Sequence, residues 1–321
     1  MAVYTALGTE ELAELIAAYD VGELVSAKGI AEGVSNSNWM IDTTRGRYIL
    51  TMYERRIDLD ELPFFLDLLD HLSAADCPVP RTIHDSTGAS ARTIRGKTVA
   101  LIEYLAGTSP SRPTPDQAHS VGAALAQVHL AGRQFGRDRT NRLGPAANAG
   151  TLRTIGGEAL ARIDPAMRDL PARATALAEA WPANLPRSVI HSDLFPDNVL
   201  MRGDAVTGLI DFYFACTDAM AYDLAVTHAA WSFESEDAGF VAPVGRALVS
   251  GYESVRPLSA EEFAALPLLA EGACLRFAAS RAEDWISTPD DALVTRKDPM
   301  EFVQRWNFYR DAGAKAFARA A

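Results

Sequence analysis

Cysteine is scarce. The 321 residues hold three, Cys77, Cys216 and Cys274, far apart, odd in number and without a C-x-x-C pair. That excludes a disulfide framework and a structural zinc site and leaves the thiols as small buried hydrophobes. No apolar run approaches the roughly 18 residues that a bilayer-spanning helix needs. The stretch from Met1 to Tyr19 has no Lys or Arg and carries Glu10, Glu11 and Glu14 where a signal peptide needs positive charge, so a cytoplasmic chain is expected. Internal repeats and low-complexity tracts are missing as well. A net charge of −12 provides no general basic surface. Neither nucleic acid nor a membrane is therefore expected as a partner, while a homo-oligomer remains compatible with the sequence. What is present is ordinary for a globular chain: hydrophobic residues make up 48% and charged residues 22%. The length fits one large domain or two lobes.

Thr9 is a plausible N-cap, and Leu12, Leu15, Ile16 and Tyr19 share one face of the helix that follows. Residues 23–54 read as three short strands, with turns near Gly33 to Asn38 and at Thr44 to Gly46. Residues 59–74 form an apolar helix that covers those strands, and Pro78 and Pro80 follow its end. TIHDS, RTIRG and TVALIEYL are further strands of the same sheet. The Gly/Pro/Ser-rich stretch 107–116 marks a lobe boundary, which predicts a small α+β lobe over 1–106 and a mainly helical lobe over 107–321. Two capping boxes are legible in the second lobe, Thr114 with Gln117 and Ser259 with Glu262, and Gly132 ends the helix that starts at Pro115.

One tract, 188–212, breaks the helical pattern. Its apolar runs Ser188 to Ile190, Val199 to Met201 and Gly208 to Ile210 are too short for helices and read as a strand, a loop and a hairpin turning at Arg202 to Asp204. His191, Asp193, Asp197 and Asn198 fall on the loop, and Asp211 lies just past the last strand. Phosphoryl transfer needs a carboxylate to orient or deprotonate the attacking hydroxyl, plus an amide and a second carboxylate to hold Mg²⁺ against a triphosphate. Asp193, Asn198 and Asp211 suit those roles. The step from Asp193 to Asn198 matches H-x-D-x-x-x-x-N, and Asp211-Phe212 matches the start of D-F-G. His191 reads instead as a buried histidine bracing the loop by hydrogen bonds, and Asp223 as a carboxylate that holds the loop backbone.

HSDLFPDNVL (191–200) with LIDFYFACTDAMAYDLA (209–225) resembles the aminoglycoside phosphotransferase and choline kinase-like superfamily. Within it, the tracts GVSNSN (33–38), YILTMYE (48–54), ELPFFLDLLDHL (61–72), ALIEYLAG (100–107), LRFAASRAEDW (275–285) and VTRKDP (294–299) are most similar to the homoserine kinases of this kinase-like type. The resemblance implies a bilobal, protein-kinase-like α+β fold with a small antiparallel-sheet lobe and a mainly helical lobe. It also implies ATP and Mg²⁺ as cofactors and L-homoserine as acceptor. Asp193 would be the catalytic base, and Asn198 and Asp211 the metal ligands. Gly33, Ser35 and Asn36 would cover the phosphates, and the backbone of Glu103 to Leu105 would bind adenine.

Several positions depart from the wider kinase pattern. Thr51 stands where a phosphate-binding Lys is usual, Glu61 is the helical carboxylate that would face it, and Arg55 and Arg56 read as a solvated pair. Ser192 replaces the Arg of many protein kinases, and too few residues separate Asp211 from Asp223 for a phosphorylated activation segment, which favours a small-molecule kinase. An amino-acid acceptor needs a cation and an anion, and Arg276, Arg281 and Asp284 share one helical arc that could supply them. The alternative for the last two is an Arg281–Asp284 pair. Trp231 and Trp285 read as core. Two alternatives stay open: the same chemistry on choline, methylthioribose, an aminoglycoside or another hydroxy amino acid, and a silent nucleotide-binding regulator.

Overall fold

The computed structural model describes residues 7–30, 36–54, 58–234, 239–289 and 296–318. Gly33, Ser35, Arg55 and Arg56 lie outside the described residues. The chain divides into two units, 1–108 with 207–213, and 109–206 with 214–321.

The first unit is a sheet with helical cover. The apolar residues Leu12, Leu15 and Ile16 recur at helical spacing, and α1 (Thr9–Ala17) forms there and buries all three. Thr9 is not its cap. Gly8 takes that place, its N–H donating to Glu11 Oε2 at 2.8 Å, so Thr9 becomes the first helical residue. Strands β1 (Leu24–Ile30), β2 (Asn36–Thr43) and β3 (Arg47–Tyr53) run antiparallel in succession. Helix α2 (Leu62–Ala74) follows, starting three residues later than its apolar pattern does and with Glu61 at its N-cap. Then come β4 (Thr82–Ile83), β5 (Arg92–Ile94) and β6 (Lys97–Glu103), in a sheet ordered β1-β2-β3-β6-β4 with β5 paired to β6. Alternation puts Trp39 and Ile41, Leu50 and Met52, and Val99 and Leu101 on one face. These residues pack with the apolar side of α1 into one core. Each such side chain contributes on the order of 1.5–3 kcal/mol by leaving water.

The second unit is mainly helical: α3 (Pro115–Gly132), α4 (Pro145–Ile155), α5 (Gly157–Ile163) and α6 (Leu170–Glu179) precede the tract of short strands. That tract holds β7 (Arg187–Ile190), β8 (Val199–Arg202), β9 (Ala205–Leu209) and β10 (Cys216–Ala219). After it come α7 (Met220–Trp231), α8 (Ala242–Val255), α9 (Ala260–Ser287) and α10 (Met300–Ala312). Residues 207–213 count with the first unit because Leu209 donates its N–H to the Pro78 carbonyl at 2.7 Å, and the Tyr213 ring meets Phe65 edge-on at 5.7 Å. Helices α3 and α8 lie close because glycines face them. A Cβ at Gly122 would run into the Leu248 carbonyl, and one at Gly251 into that of His119. By length and composition α9 could cross a membrane, although the sequence has no long unbroken apolar run. In this fold it is a core helix, packed against α4, α6, α7 and α10, with Leu269, Ala273, Leu275 and Ala278 buried. All three cysteines are buried and free, and burial pushes the Cys216 thiol up to about 12.

Candidate active site

Strand pairing builds the loop. β7 and β10 are antiparallel, with Ile190 opposite Cys216, and β10 leads directly into α7. Asp223, in the first turn of α7, thereby comes to lie against the backbone that leaves β7. Its carboxylate accepts the His191 N–H at 2.7 Å and the Ser192 N–H at 2.6 Å. His129, in the last turn of α3, donates a third bond from Nε2 at 2.9 Å, and its Nδ1 meets the Tyr252 hydroxyl at 2.8 Å. Asp223 is fully buried. Burial works against its charge, but the His129 hydrogen bond, the neighbouring histidines and the His191 N–H outweigh that and lower its pKa. The loop-holding role expected for Asp223 is what the structure displays. His129 and Tyr252 had no sequence signal, since His129 lies 94 residues from its carboxylate partner.

His191 is fully buried, and its Nδ1 accepts the Asp193 N–H at 3.2 Å, a brace within the loop. Ser192 adopts φ 69°, a left-handed conformation that costs a non-glycine residue about 1 kcal/mol or more. That turn carries the chain from His191 to Asp193. Leu194 is buried beneath, its carbonyl accepting Trp231 Nε1–H at 3.0 Å, so Trp231 is core as expected. A 3₁₀ turn, Pro196–Asn198, completes the loop. Asn198 Nδ2 donates to the Asp193 carbonyl at 2.8 Å, which turns its Oδ1 away from that bond. Burial raises the Asp193 carboxyl above the ordinary carboxylate value; Arg276 and His191 pull it down, Asp197 pushes it up, and Lys297 pulls it down again.

Arg276, on α9, is buried at 3% exposure. Its Nη1 donates to the Ser192 carbonyl and to Ser192 Oγ at 2.8 Å, and its Nη2 lies 3.5 Å from Asp193 Oδ1. Its guanidinium also lies over the Phe277 ring at 4.8 Å and the Phe214 ring at 5.2 Å. Arg281, a turn and a half further along α9, donates to Glu301 Oε2 at 2.5 Å and to the Asp298 carbonyl at 2.9 Å. Its partner is thus Glu301 rather than Asp284, which is exposed. Phe195 of the loop meets Phe277 at 4.9 Å and Phe302 at 6.1 Å, and Arg281 lies over Phe302 at 4.6 Å. An aromatic cluster therefore joins the 191–198 loop to Arg281. Trp285 is half-buried with Arg296 over its ring at 5.7 Å.

In the first unit, Asp211 is exposed and has φ 66°, which Asp tolerates better than most residues. Two residues on, the Tyr213 hydroxyl bonds that of Tyr53 at 3.0 Å, and Thr51 also reaches it. Thr51 Oγ1 in turn donates to Asn38 Oδ1 at 2.8 Å, across the β2–β3 pair. Burial raises the Tyr213 phenol. A line of neutral hydroxyls and amides therefore surrounds Thr51, which stands where the wider kinase pattern has a Lys. Asn36 is buried at the start of β2. Glu103 ends β6 and its N–H donates to the Arg81 carbonyl at 3.0 Å, after which Tyr104 and Leu105 run on outside the sheet.

Among the described residues no three His, Cys, Asp or Glu side chains gather as a metal cage. Mg²⁺ needs none: it commonly takes one or two protein oxygens, with phosphates and water completing the shell. An amide oxygen from Asn198 and a carboxylate from Asp211 are hard donors of that kind.

An antiparallel sheet with helical cover, a mainly helical unit, and between its strands a left-handed turn before a half-buried aspartate make this a protein-kinase-like α+β fold of the phosphotransferase type. The chain belongs to the phosphotransferase enzyme family, whose sequence pattern matches residues 26–258. Membership implies ATP as phosphoryl donor, usually with Mg²⁺. The chain is 48% identical to a homoserine kinase of Sinorhizobium fredii over 97% of its own length and 95% of that protein's. It is 46% identical to a homoserine kinase of Acidiphilium cryptum over 98% and 99%. In fold it is similar to a spectinomycin phosphotransferase solved with ADP and spectinomycin, at TM-score 0.69 and 12% identity over 98% of this chain and 100% of that one. A microcompartment-associated aminopropanol kinase gives TM-score 0.64 and 20% identity over 97% and 99%.

Proposed function

We propose that the protein is an ATP-dependent homoserine kinase, transferring the γ-phosphoryl group of ATP to the side-chain hydroxyl of L-homoserine, on the route to threonine. The observation that carries this reading is near-full-length identity of 46–48% to homoserine kinases, spanning the tail tracts as well as the shared kinase loop. We assign the enzyme to the cytoplasm, where ATP is available to a biosynthetic kinase.

Asp193 accepts the proton of the attacking hydroxyl, or orients it. Asn198 and Asp211 would hold Mg²⁺, which neutralises charge developing on the transferred phosphoryl group. Gly33, Ser35 and Asn36 would lie over the phosphates, and the backbone of Glu103 and Leu105, where the chain leaves β6, would meet adenine. For the acceptor's own charges we assign Arg281 to the α-carboxylate and Asp284 to the α-ammonium. Glu301 is shared by Arg281 and Arg305. Two guanidiniums on one carboxylate leave a net positive charge beside Phe302, and that charge attracts a carboxylate.

The test is ADP release by the purified protein with Mg-ATP and a panel of L-homoserine, L-serine, L-threonine, choline, methylthioribose and an aminoglycoside, with Asp193→Asn as the blank. Stimulation by L-homoserine above the other members is expected. Stimulation by a different member alone overturns the substrate, and silence across the panel despite ATP binding would establish the regulatory alternative.

A further inference from the structure

The catalytic loop holds a charge arrangement that neither the phosphotransferase pattern nor the H-x-D-x-x-x-x-N spacing requires. Ser192 sits in the left-handed region with both ends of its peptide environment clamped. Its N–H goes to Asp223 on α7, and its carbonyl and hydroxyl go to Arg276 on α9. The peptide that Arg276 grips is the one joining Ser192 to Asp193, so the direction of the Asp193 side chain follows from that grip. The same guanidinium lies 3.5 Å from the Asp193 carboxylate. It is buried and walled by Phe214 and Phe277, which leaves little solvent to screen its charge. Ser192 itself, standing where many protein kinases have an arginine, brings no cation. α9 delivers one instead.

We propose that Arg276 is the positioning residue of the catalytic loop, rather than a ligand of the acceptor's carboxylate. By gripping the Ser192 carbonyl and hydroxyl it holds the left-handed turn that aims Asp193. Of the two arginines on α9 near the loop, Arg276 spends its donors on the loop. Arg281 lies beyond the aromatic cluster, paired instead with Glu301 and the Asp298 carbonyl.

This inference rests on the homoserine kinase reading for its assay, and the two fail separately. The experiment measures kcat and KM for L-homoserine in wild type, Arg276→Gln and Arg276→Lys, with ADP affinity as a check on folding. For Arg276→Gln, kcat is expected to fall by about 100-fold, the scale of a misplaced catalytic group, while KM for L-homoserine stays within about 3-fold. Arg276→Lys should restore part of kcat.

A second substitution tests the turn directly. Ser192→Gly removes the backbone strain at φ 69°, since glycine adopts that region without penalty. Combined with Arg276→Gln it should recover part of kcat. If Arg276→Gln does not fold, Arg276→Lys yields the same comparison at smaller amplitude.

A KM for L-homoserine raised 10-fold or more, with kcat unmoved, would overturn the proposal and make Arg276 a substrate ligand. Unchanged kcat and KM would overturn it as well. If wild type prefers another acceptor of the panel, the substrate reading falls, and the Arg276 comparison is made with that acceptor.

Discussion

At Asp193, three physical demands meet: burial, which strengthens electrostatic contacts; ionisation, which burial opposes; and direction, which the Ser192 turn sets. Asp193→Asn keeps the shape and loses the proposed proton acceptor. Turnover should drop by roughly 10³-fold or more, within the range for general-base groups, while ADP affinity, read by calorimetry, stays within a few-fold. Asp211 answers a different demand. Asp211→Asn retains tolerance of φ 66° but loses the charge that the proposed Mg²⁺ site draws on. The Mg²⁺ concentration for half-maximal activity should therefore rise by about 10-fold or more, a shift that Asp193→Asn should not show. Equal Mg²⁺ requirements in wild type and Asp211→Asn would remove Asp211 from the metal site.

Helix ends and helix contacts belong to the next scale. The capping box at α3 forms as its sequence states: Thr114 Oγ1 accepts the Gln117 N–H at 3.2 Å, and Gln117 Oε1 accepts the Thr114 N–H at 3.1 Å. The box at α9 forms likewise, with Ser259 and Glu262. Glu262 has a second duty that the box does not reveal, an ion pair with buried Arg256 at 2.7 Å. Helix α3 carries His129, so its placement bears on the proposed catalytic loop through Asp223. Thr114→Ala should lower unfolding stability by about 1 kcal/mol with little change in kcat, since only a cap is lost. Gly251→Val puts atoms where the His119 carbonyl lies, and should cost about 1–3 kcal/mol or more through overpacking. Because it displaces α8 from α3, it should lower kcat as well. Urea denaturation beside steady-state rates checks both, and a Gly251→Val protein as stable as wild type would refute the close contact.

For the whole molecule, pH is the informative variable. His228 is fully buried with Nδ1 bonded to the Tyr309 hydroxyl at 2.6 Å, and burial pushes its pKa down from 6.5 to about 3. Between those values the unfolded chain binds a proton that the folded chain refuses, so stability rises with pH there and is lost on acidification. Going from pH 7 to pH 4 this one group should remove roughly 3 kcal/mol. The Tm of His228→Phe, which fills the same aromatic surroundings without titrating, should fall less steeply than wild type over that range. Parallel Tm–pH curves would show that His228 does not set the acid limit.

The amino-acid order was enough for whatever depends on neighbours in the chain. Strand alternation, the capping boxes and the Asp193–Asn198 spacing are short-range patterns, and each can be read where it stands. Local reading slipped at α1, where Gly8 and not Thr9 caps the helix, because the Glu11 carboxylate reaches back to the Gly8 N–H. The fold alone could settle which distant groups share a buried place. His129 and Asp223 are 94 residues apart, Arg276 and Ser192 84, and Tyr53 and Tyr213 160. Sequence spacing carries no trace of such pairs, because they arise from the antiparallel β7–β10 register, the packing of α3 and α9 and the turn after β9. Arg276 shows the difference most plainly. As one of two arginines on a helical arc it was equally suited to a substrate carboxylate, and only burial against Ser192 and Asp193 reveals that its charge faces the catalytic loop.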